Sequence, residues 1–181
     1  SAIAQKSLYA SNNRHFKQLL EKLWAHSLAC AYGASAIAKH LDMDDSEMLF
    51  LVGLVHDIGQ TFLVSALSDK LSTAKDVDMD EVKAGIAETH SGFTRALLNR
   101  WNFETRFVKL ATLHVGTDFG DQTDKGVLVV NLASHLAENI GFSPFDEAEV
   151  ELPTLDSAVR LGVDTDALVD IGEEIRNIMQ K

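Results

Sequence analysis

The run Phe50-Leu51-Val52-Gly53-Leu54-Val55-His56-Asp57-Ile58-Gly59 sets a histidine and a carboxylate side by side in an otherwise apolar stretch. An unpaired charge buried among such neighbours is strongly disfavoured, so Asp57 needs a partner, and a metal ion is one that removes the cost. The recurrence of Leu49, Val52, His56, Gly59 and Leu63 predicts one helix with these residues on a single stripe. Neighbouring residues lie about 100° apart around a helix, so His56 and Asp57 can share a cation only where two stripes meet in a cleft. Gly53 and Gly59 each cost about 1 kcal/mol in a helix interior relative to alanine. Close approach of a ligand and plain helix-to-helix packing both account for them.

The same period extends outward on either side. Leu19, Leu23, His26, Cys30, Gly33, Ile37 and Leu41 predict a long helix ending at the acidic turn Asp42 to Asp45, where Asp44, Asp45 and Glu47 favour the next helix's N-terminal dipole. Downstream, Val82, Ile86, His90, Phe93 and Leu97 form a stripe whose helix Asp78 or Asp80 would cap. A shorter helix holds Phe103, Phe107, Leu110 and His114. Gly116 to Gly126 reads as a loop, Val127 to Ile140 as an apolar helix, and Gly141 to Pro153 as a break. Two short helices, Asp156 to Leu161 and Asp164 to Met179, join at Gly162. With prolines only at Pro144 and Pro153, long helices run uninterrupted before them. The expectation is an all-α, compact multi-helix fold in one domain over 1–181, with a core at roughly 15–140 and two short C-terminal helices in 154–181.

Four of these helices each carry a histidine on the stripe that holds their large apolar residues: His26, His56, His90 and His114. A single inward imidazole can be satisfied by a backbone carbonyl. Four together offer more ring nitrogens than such bonds readily absorb, and a shared cation provides one partner for all of them. A metal-free hydrogen-bonded core, with Asp57 pairing an imidazolium, is the alternative.

Composition narrows the function. The 181 residues carry 16 Lys plus Arg against 27 Asp plus Glu, a net charge of −11, which repels phosphate backbones and argues against nucleic acid as a partner. Cys30 is the one cysteine; among Ala29 and Ala31 it reads as a buried thiol in a reducing compartment. No uninterrupted apolar run reaches the roughly 18 residues that span a bilayer, and the N-terminus lacks a signal-peptide pattern, so no membrane association and a cytoplasmic location are expected. The chain opens on Ser1 and is read as processed or trimmed.

His26 followed by His56-Asp57 within HDIG resembles the HD superfamily of metal-dependent phosphohydrolases, in which one histidine, the His-Asp pair and a later aspartate hold a cation. Leu23-Trp24-Ala25-His26-Ser27, the run Phe50 to Gly59, and His90 followed by Gly92 and Leu97-Leu98-Asn99-Arg100-Trp101 resemble, in order and spacing, its signalling branch, HDOD. The resemblance runs from about Ala2 to Ile140 and lacks the helical region that usually precedes this part. It implies metal ligands at His26, His56 and Asp57. His90 and His114 are further candidates, because matching residues of the related HD-GYP phosphodiesterases help to bind a second metal. The implied cofactor is a divalent metal (Fe, Mn, Mg, Ni or Zn), with an empty site as the alternative. The implied partners are other signalling proteins or a nucleotide second messenger; the sequence gives no oligomeric state.

Three departures turn the reading toward a regulatory or output module and away from turnover. Ala133-Ser134 stands where the superfamily has an Ala-Asp pair, Val115 follows His114 where HD-GYP enzymes tend to have a second histidine, and Gln60 stands in place of their lysine. Valine cannot ligate and glutamine carries no charge for a phosphate. Glu88 is a candidate replacement carboxylate, although its spacing from His90 puts it on another helix face. His135 reads as a solvent or cap histidine, His15 and His40 as solvated, and Trp24 and Trp101 as core. Arg95, Arg100, Arg106 and Lys109 read as a solvated face, and Asp146 to Glu151 as a solvated loop. A metal-dependent phosphohydrolase acting on a nucleotide or cyclic dinucleotide is the competing function, and the catalytic residues are left unassigned.

Overall fold

The computed structural model describes residues 14–71, 77–145 and 150–181, and within them every regular element is helical. Helix α1 (Arg14–His40) is followed by α2 (Ser46–Val55), α3 (Ile58–Lys70), α4 (Met79–Arg100), α5 (Thr105–Leu113) and α6 (Lys125–Ala137). A π turn (Glu138–Phe142) and a 3-10 turn (Leu152–Thr154) lead to α7 (Asp156–Leu161) and α8 (Thr165–Met179).

The starts and stops follow the residues that satisfy free backbone groups. Asp78 accepts from the amides of Asp80 and Glu81, Asp124 from Gly126 and Asp164 from Ala167, which caps α4, α6 and α8. Gly162 ends α7 at φ 70°, a left-handed conformation that favours glycine, as its predicted place between the two last helices requires. Asp45 precedes α2 without capping it; its carboxylate pairs with Arg106 at 2.8 Å.

Small residues let α1 sit close to its neighbours. A Cβ on Gly53 of α2 would lie 2.8 Å from the Ala31 Cα and 2.9 Å from the Cys30 carbonyl oxygen, and one on Gly33 would meet the Ala133 Cβ of α6 at 3.3 Å. Gly59 is tighter: its Cβ would fall 2.5 Å from the His90 carbonyl oxygen and 2.6 Å from Thr94 Oγ1 of α4. Helix-to-helix packing, the plainer of the two readings of these glycines, accounts for Gly53 and Gly59.

Two apolar clusters result. The larger runs from Ala29, Ile37 and Leu49 through Leu98 and Leu110 to Leu132, Leu136 and Ile175. The smaller gathers Phe16, Leu19, Leu20 and Leu23 of α1 with Val64 of α3 and Ile86 of α4. Along α1 the smaller cluster ends at Leu23 and the larger begins at Ala29, so His26 falls between them; His90 falls likewise between Ile86 and Leu98 on α4. The histidines therefore mark the seam between two cores.

Several expectations are corrected. The predicted helix through His56 is two helices, broken at His56-Asp57, where Asp57 takes φ −107° and ψ 22°. The combined stretch Ser46–Lys70 is 25 residues long and its most apolar 18-residue window has a mean hydropathy of 1.5, so by length and composition alone it could cross a membrane, which a count of uninterrupted apolar residues does not detect. Here it is folded as two helices, with half of its most apolar window buried. On α4 the buried face is Ile86, His90, Thr94 and Leu98, leaving Phe93 exposed and Leu97 at the margin. Trp101 is 46% exposed and packs on Phe62 rather than in the core, while Trp24 is half-buried. Phe103 precedes α5 and is exposed, and the helix predicted to reach Ile140 gives way to the π turn at Glu138. Residues 146–149 of the predicted acidic loop lie outside the described residues.

Candidate metal centre

The break between α2 and α3 solves the problem that a single helix would pose. With the chain turning at His56 and Asp57, both side chains enter the same seam, and His26 from α1, His90 from α4 and His114 at the end of α5 meet them there. All five are buried. Asp57 Oδ2 lies 3.2 Å from His56 Nε2 and 3.7 Å from His26 Nε2, while Oδ1 lies 3.5 Å from His90 Nε2 and 3.7 Å from His114 Nε2. The candidate ligand atoms thus form two sets, His26, His56 and Asp57 on one side and Asp57, His90 and His114 on the other, with the carboxylate common to both.

The other ring nitrogen of each histidine fixes its proton. Nδ1 faces a backbone carbonyl in all four: Phe142 at 3.0 Å from His26, Gly53 at 2.7 Å from His56, Ala87 at 2.8 Å from His90 and Ala111 at 2.9 Å from His114. A carbonyl oxygen only accepts, so Nδ1 carries the hydrogen and the neutral ring turns the Nε2 lone pair toward Asp57. For His56, His90 and His114 the carbonyl is three residues back on the ring's own helix.

Four lone pairs and a carboxylate then face one another, with the Ser134 hydroxyl as a donor to His26 alone. His56 Nε2 and Asp57 Oδ1 are buried without hydrogen-bond partners. The nitrogen and oxygen donor set suits a divalent cation, and the orphaned atoms are what such an ion would satisfy. The protein's own electrostatics point the same way. Burial pulls the His56 ring down, but Asp57 and Cys30 together outweigh it and hold its pKa well above the ordinary value. Burial also opposes the Asp57 charge, yet His56, His114 and His26 hold that carboxyl well below the usual range. His114 is pushed down to about 3, first by burial and then by the charge of His56, and His26 is lowered for the same two reasons.

The seam opens to solvent through a pocket of about 250 Å³ lined by Asp57, His90 and His114 and also by Gln60, Asn131, Ser134, His135 and Glu138. Ser134 Oγ sits 3.3 Å from His26 Nε2 and can donate to it. Asn131 donates to the carbonyls of His114 at 2.7 Å and Gly116 at 3.1 Å, holding the turn after α5. Gln60 is buried with its Oε1 unpaired. His135, expected as a solvent or cap residue, is half-buried in this pocket, with Nδ1 donating to Glu138 Oε2 at 3.0 Å. Glu138 escaped sequence reading because no motif marks it; its spacing of one helical turn from Ser134 was the available signal. Glu88, the replacement carboxylate considered from sequence, is exposed and lines no part of the pocket. Arg95, Arg100, Arg106 and Lys109 also lie outside it, and Arg106 is engaged with Asp45 and Asp124. Among its described lining residues there is no lysine or arginine.

An all-helical scaffold with one histidine, a His-Asp pair at a helix break and two further inward histidines defines an HD-type domain. The HDOD domain model matches residues 1–116, and the chain belongs to that family. The match stops before α6, so Ser134, His135 and Glu138 lie beyond it. Among solved structures, the chain is similar to a protein of Shewanella amazonensis provisionally assigned as a metal-dependent phosphohydrolase, with a TM-score of 0.74 and 18% identity over 98% of this chain. The chain spans 66% of that protein's solved length. It is also similar to the HD domain of the L. monocytogenes phosphodiesterase PgpH, solved in complex with cyclic-di-AMP, with a TM-score of 0.55 and 14% identity over 93% of this chain and 97% of that one. At these identities the likeness is one of fold. No curated protein matches the sequence.

Proposed function

We propose that this chain is a regulatory output module in signal transduction, built on an HD scaffold whose His26, His56, Asp57, His90 and His114 hold a divalent metal, and that it works through protein partners in the cytoplasm rather than by phosphoryl turnover. The observation that carries the reading is the pocket's charge: Asp57 and Glu138 line it, and no lysine or arginine joins them among the described lining residues. When bound, a divalent metal supplies Lewis acidity and acidifies a coordinated water. Phosphoryl chemistry also draws on fixed donors aimed at the developing charge, and losing one such donor typically costs about 10²- to 10³-fold in rate. This chain offers Gln60, Ser134 and Asn131, which are neutral, and Asn131 is committed to two carbonyls.

The second reading is a metal-dependent phosphohydrolase of a nucleotide or cyclic dinucleotide. It draws on the two ligand sets sharing Asp57 and on the cyclic-di-AMP bound by the PgpH domain. Metal content by mass spectrometry on protein purified without a metal-affinity column, aerobically and anaerobically, decides between them when joined to a phosphodiesterase and phosphatase screen. The expected result is bound metal in the wild type, lost in His56→Ala/Asp57→Ala, with no turnover by either. Metal-dependent turnover abolished in the double variant would overturn the regulatory reading, and absence of metal from the wild type would overturn the metal assignment.

A further inference from the structure

We propose that Glu138 is a metal ligand of this site, supplying to the His26, His56 and Asp57 side the second carboxylate that position 134 lacks, with His135 holding its other oxygen. The inference rests on the metal reading above and names a ligand outside the stretch that matches the family model.

Ser134 and Glu138 are one turn apart, and the backbone at Glu138 is still helical at φ −61° and ψ −51°, so the two side chains share a face. That face is the one turned to the metal centre: Ser134 touches His26 Nε2 at 3.3 Å, and both residues line the pocket with Asp57. As it stands the Glu138 carboxylate is outside both ligand sets, so ligation requires it to reach back from the next turn past Ser134. The π turn begins at Glu138 and ends at Phe142, whose carbonyl accepts from His26 Nδ1, so the segment bearing the glutamate is fastened to the histidine it would join in ligation.

The His135 contact fits the role. Nδ1 of that ring donates to Oε2 at 3.0 Å, the kind of hydrogen bond that orients a ligating carboxylate from outside the coordination sphere. Charge fits too. Asp57 alone contributes one negative charge to two sets of ligands, and Glu138 is the other carboxylate lining the pocket.

The test is titration of the metal-free protein with Mn²⁺ and with Co²⁺ by calorimetry, with the Co²⁺ visible spectrum read in parallel, on the wild type, Glu138→Gln and Glu88→Gln. Glu138 is partly exposed and glutamine is nearly isosteric, so the metal-free variants should melt together, which the same preparations verify. Glu138→Gln is expected to weaken one binding event by more than the roughly 10- to 100-fold typical of losing a partner outside the coordination sphere, and to change the Co²⁺ spectrum, while Glu88→Gln, exposed and outside the pocket, leaves both near wild type. Wild-type affinity and spectrum in Glu138→Gln overturn the assignment while leaving the metal centre standing. A wild type that binds neither ion overturns both.

Discussion

Replacing Gly59 by alanine presses a methyl group into the junction between α3 and α4, and the structure sets the size of the penalty. The new carbon would lie 2.5 Å from the His90 carbonyl oxygen, 2.6 Å from Thr94 Oγ1 and 2.8 Å from the Thr94 amide nitrogen, and two of those atoms are backbone that cannot swing aside. Overpacking of this kind costs about 1–3 kcal/mol. Moving Thr94 away also endangers the 3.0 Å hydrogen bond from the Gly59 amide to Thr94 Oγ1, worth about 1 kcal/mol. Alanine returns at most about 1 kcal/mol of helix propensity, so the net destabilisation is roughly 1–3 kcal/mol. Gly85, in the interior of α4, has nothing within 4 Å of its would-be Cβ, and there the same substitution should stabilise by about 0.5–1 kcal/mol. Urea denaturation of the metal-free proteins measures both. The opposite signs are the prediction, with a gap of roughly 1.5–4 kcal/mol, and Gly59→Ala as stable as Gly85→Ala would refute the close packing on which the position of His90 depends.

Two further outcomes follow from named contacts. Asn131→Ala removes the donor shared by the His114 and Gly116 carbonyls, so a loss of about 1–3 kcal/mol is expected in thermal or urea unfolding, and a change under about 0.3 kcal/mol would refute the role given to that side chain. Arg106→Ala removes an exposed guanidinium that meets Asp124 and Asp45 at 2.8 Å each, for about 0.5–1 kcal/mol at low salt and less at high salt. The Arg106 hydrogen bond holds the Asp124 carboxyl below its ordinary value, so that part of the stabilisation is full above about pH 4 and is lost as the pH falls through the folded-state value. The stability gap between wild type and Arg106→Ala should therefore narrow below about pH 4, and a gap that widens on acidification contradicts the pairing.

The sequence carried most of the helical order, because capping aspartates, a left-handed glycine and a 3.6-residue period are local signals. Asp78, Gly162 and the stripe of α1 are all where their chemistry places them. The inward histidines were legible for the same reason. What failed was anything set by a neighbour. The apolar run Phe50–Gly59 continues a helical pattern through His56-Asp57, and only convergence with α1 and α4 makes a turn there the better arrangement. On α4, Phe93 looked like core because it is large, yet Thr94 holds the buried face through its bond to Gly59. His135 and Glu138 were invisible as site residues because what brings them to the pocket is the end of α6 and the π turn after it.

The His26 ring takes its orientation from the Phe142 carbonyl, a residue 116 positions away. Chain synthesis delivers His26, the His-Asp pair, His90 and His114 well before the π turn emerges, so the site can be assembled in its final form only after α6 has been made and has docked on α1. A fragment ending at residue 116 would hold all five candidate ligands and still leave His26 Nδ1 without its acceptor and Nε2 without Ser134. Completion of the centre is thereby tied to completion of the fold, and a truncated or half-folded chain would lack the geometry of the finished one.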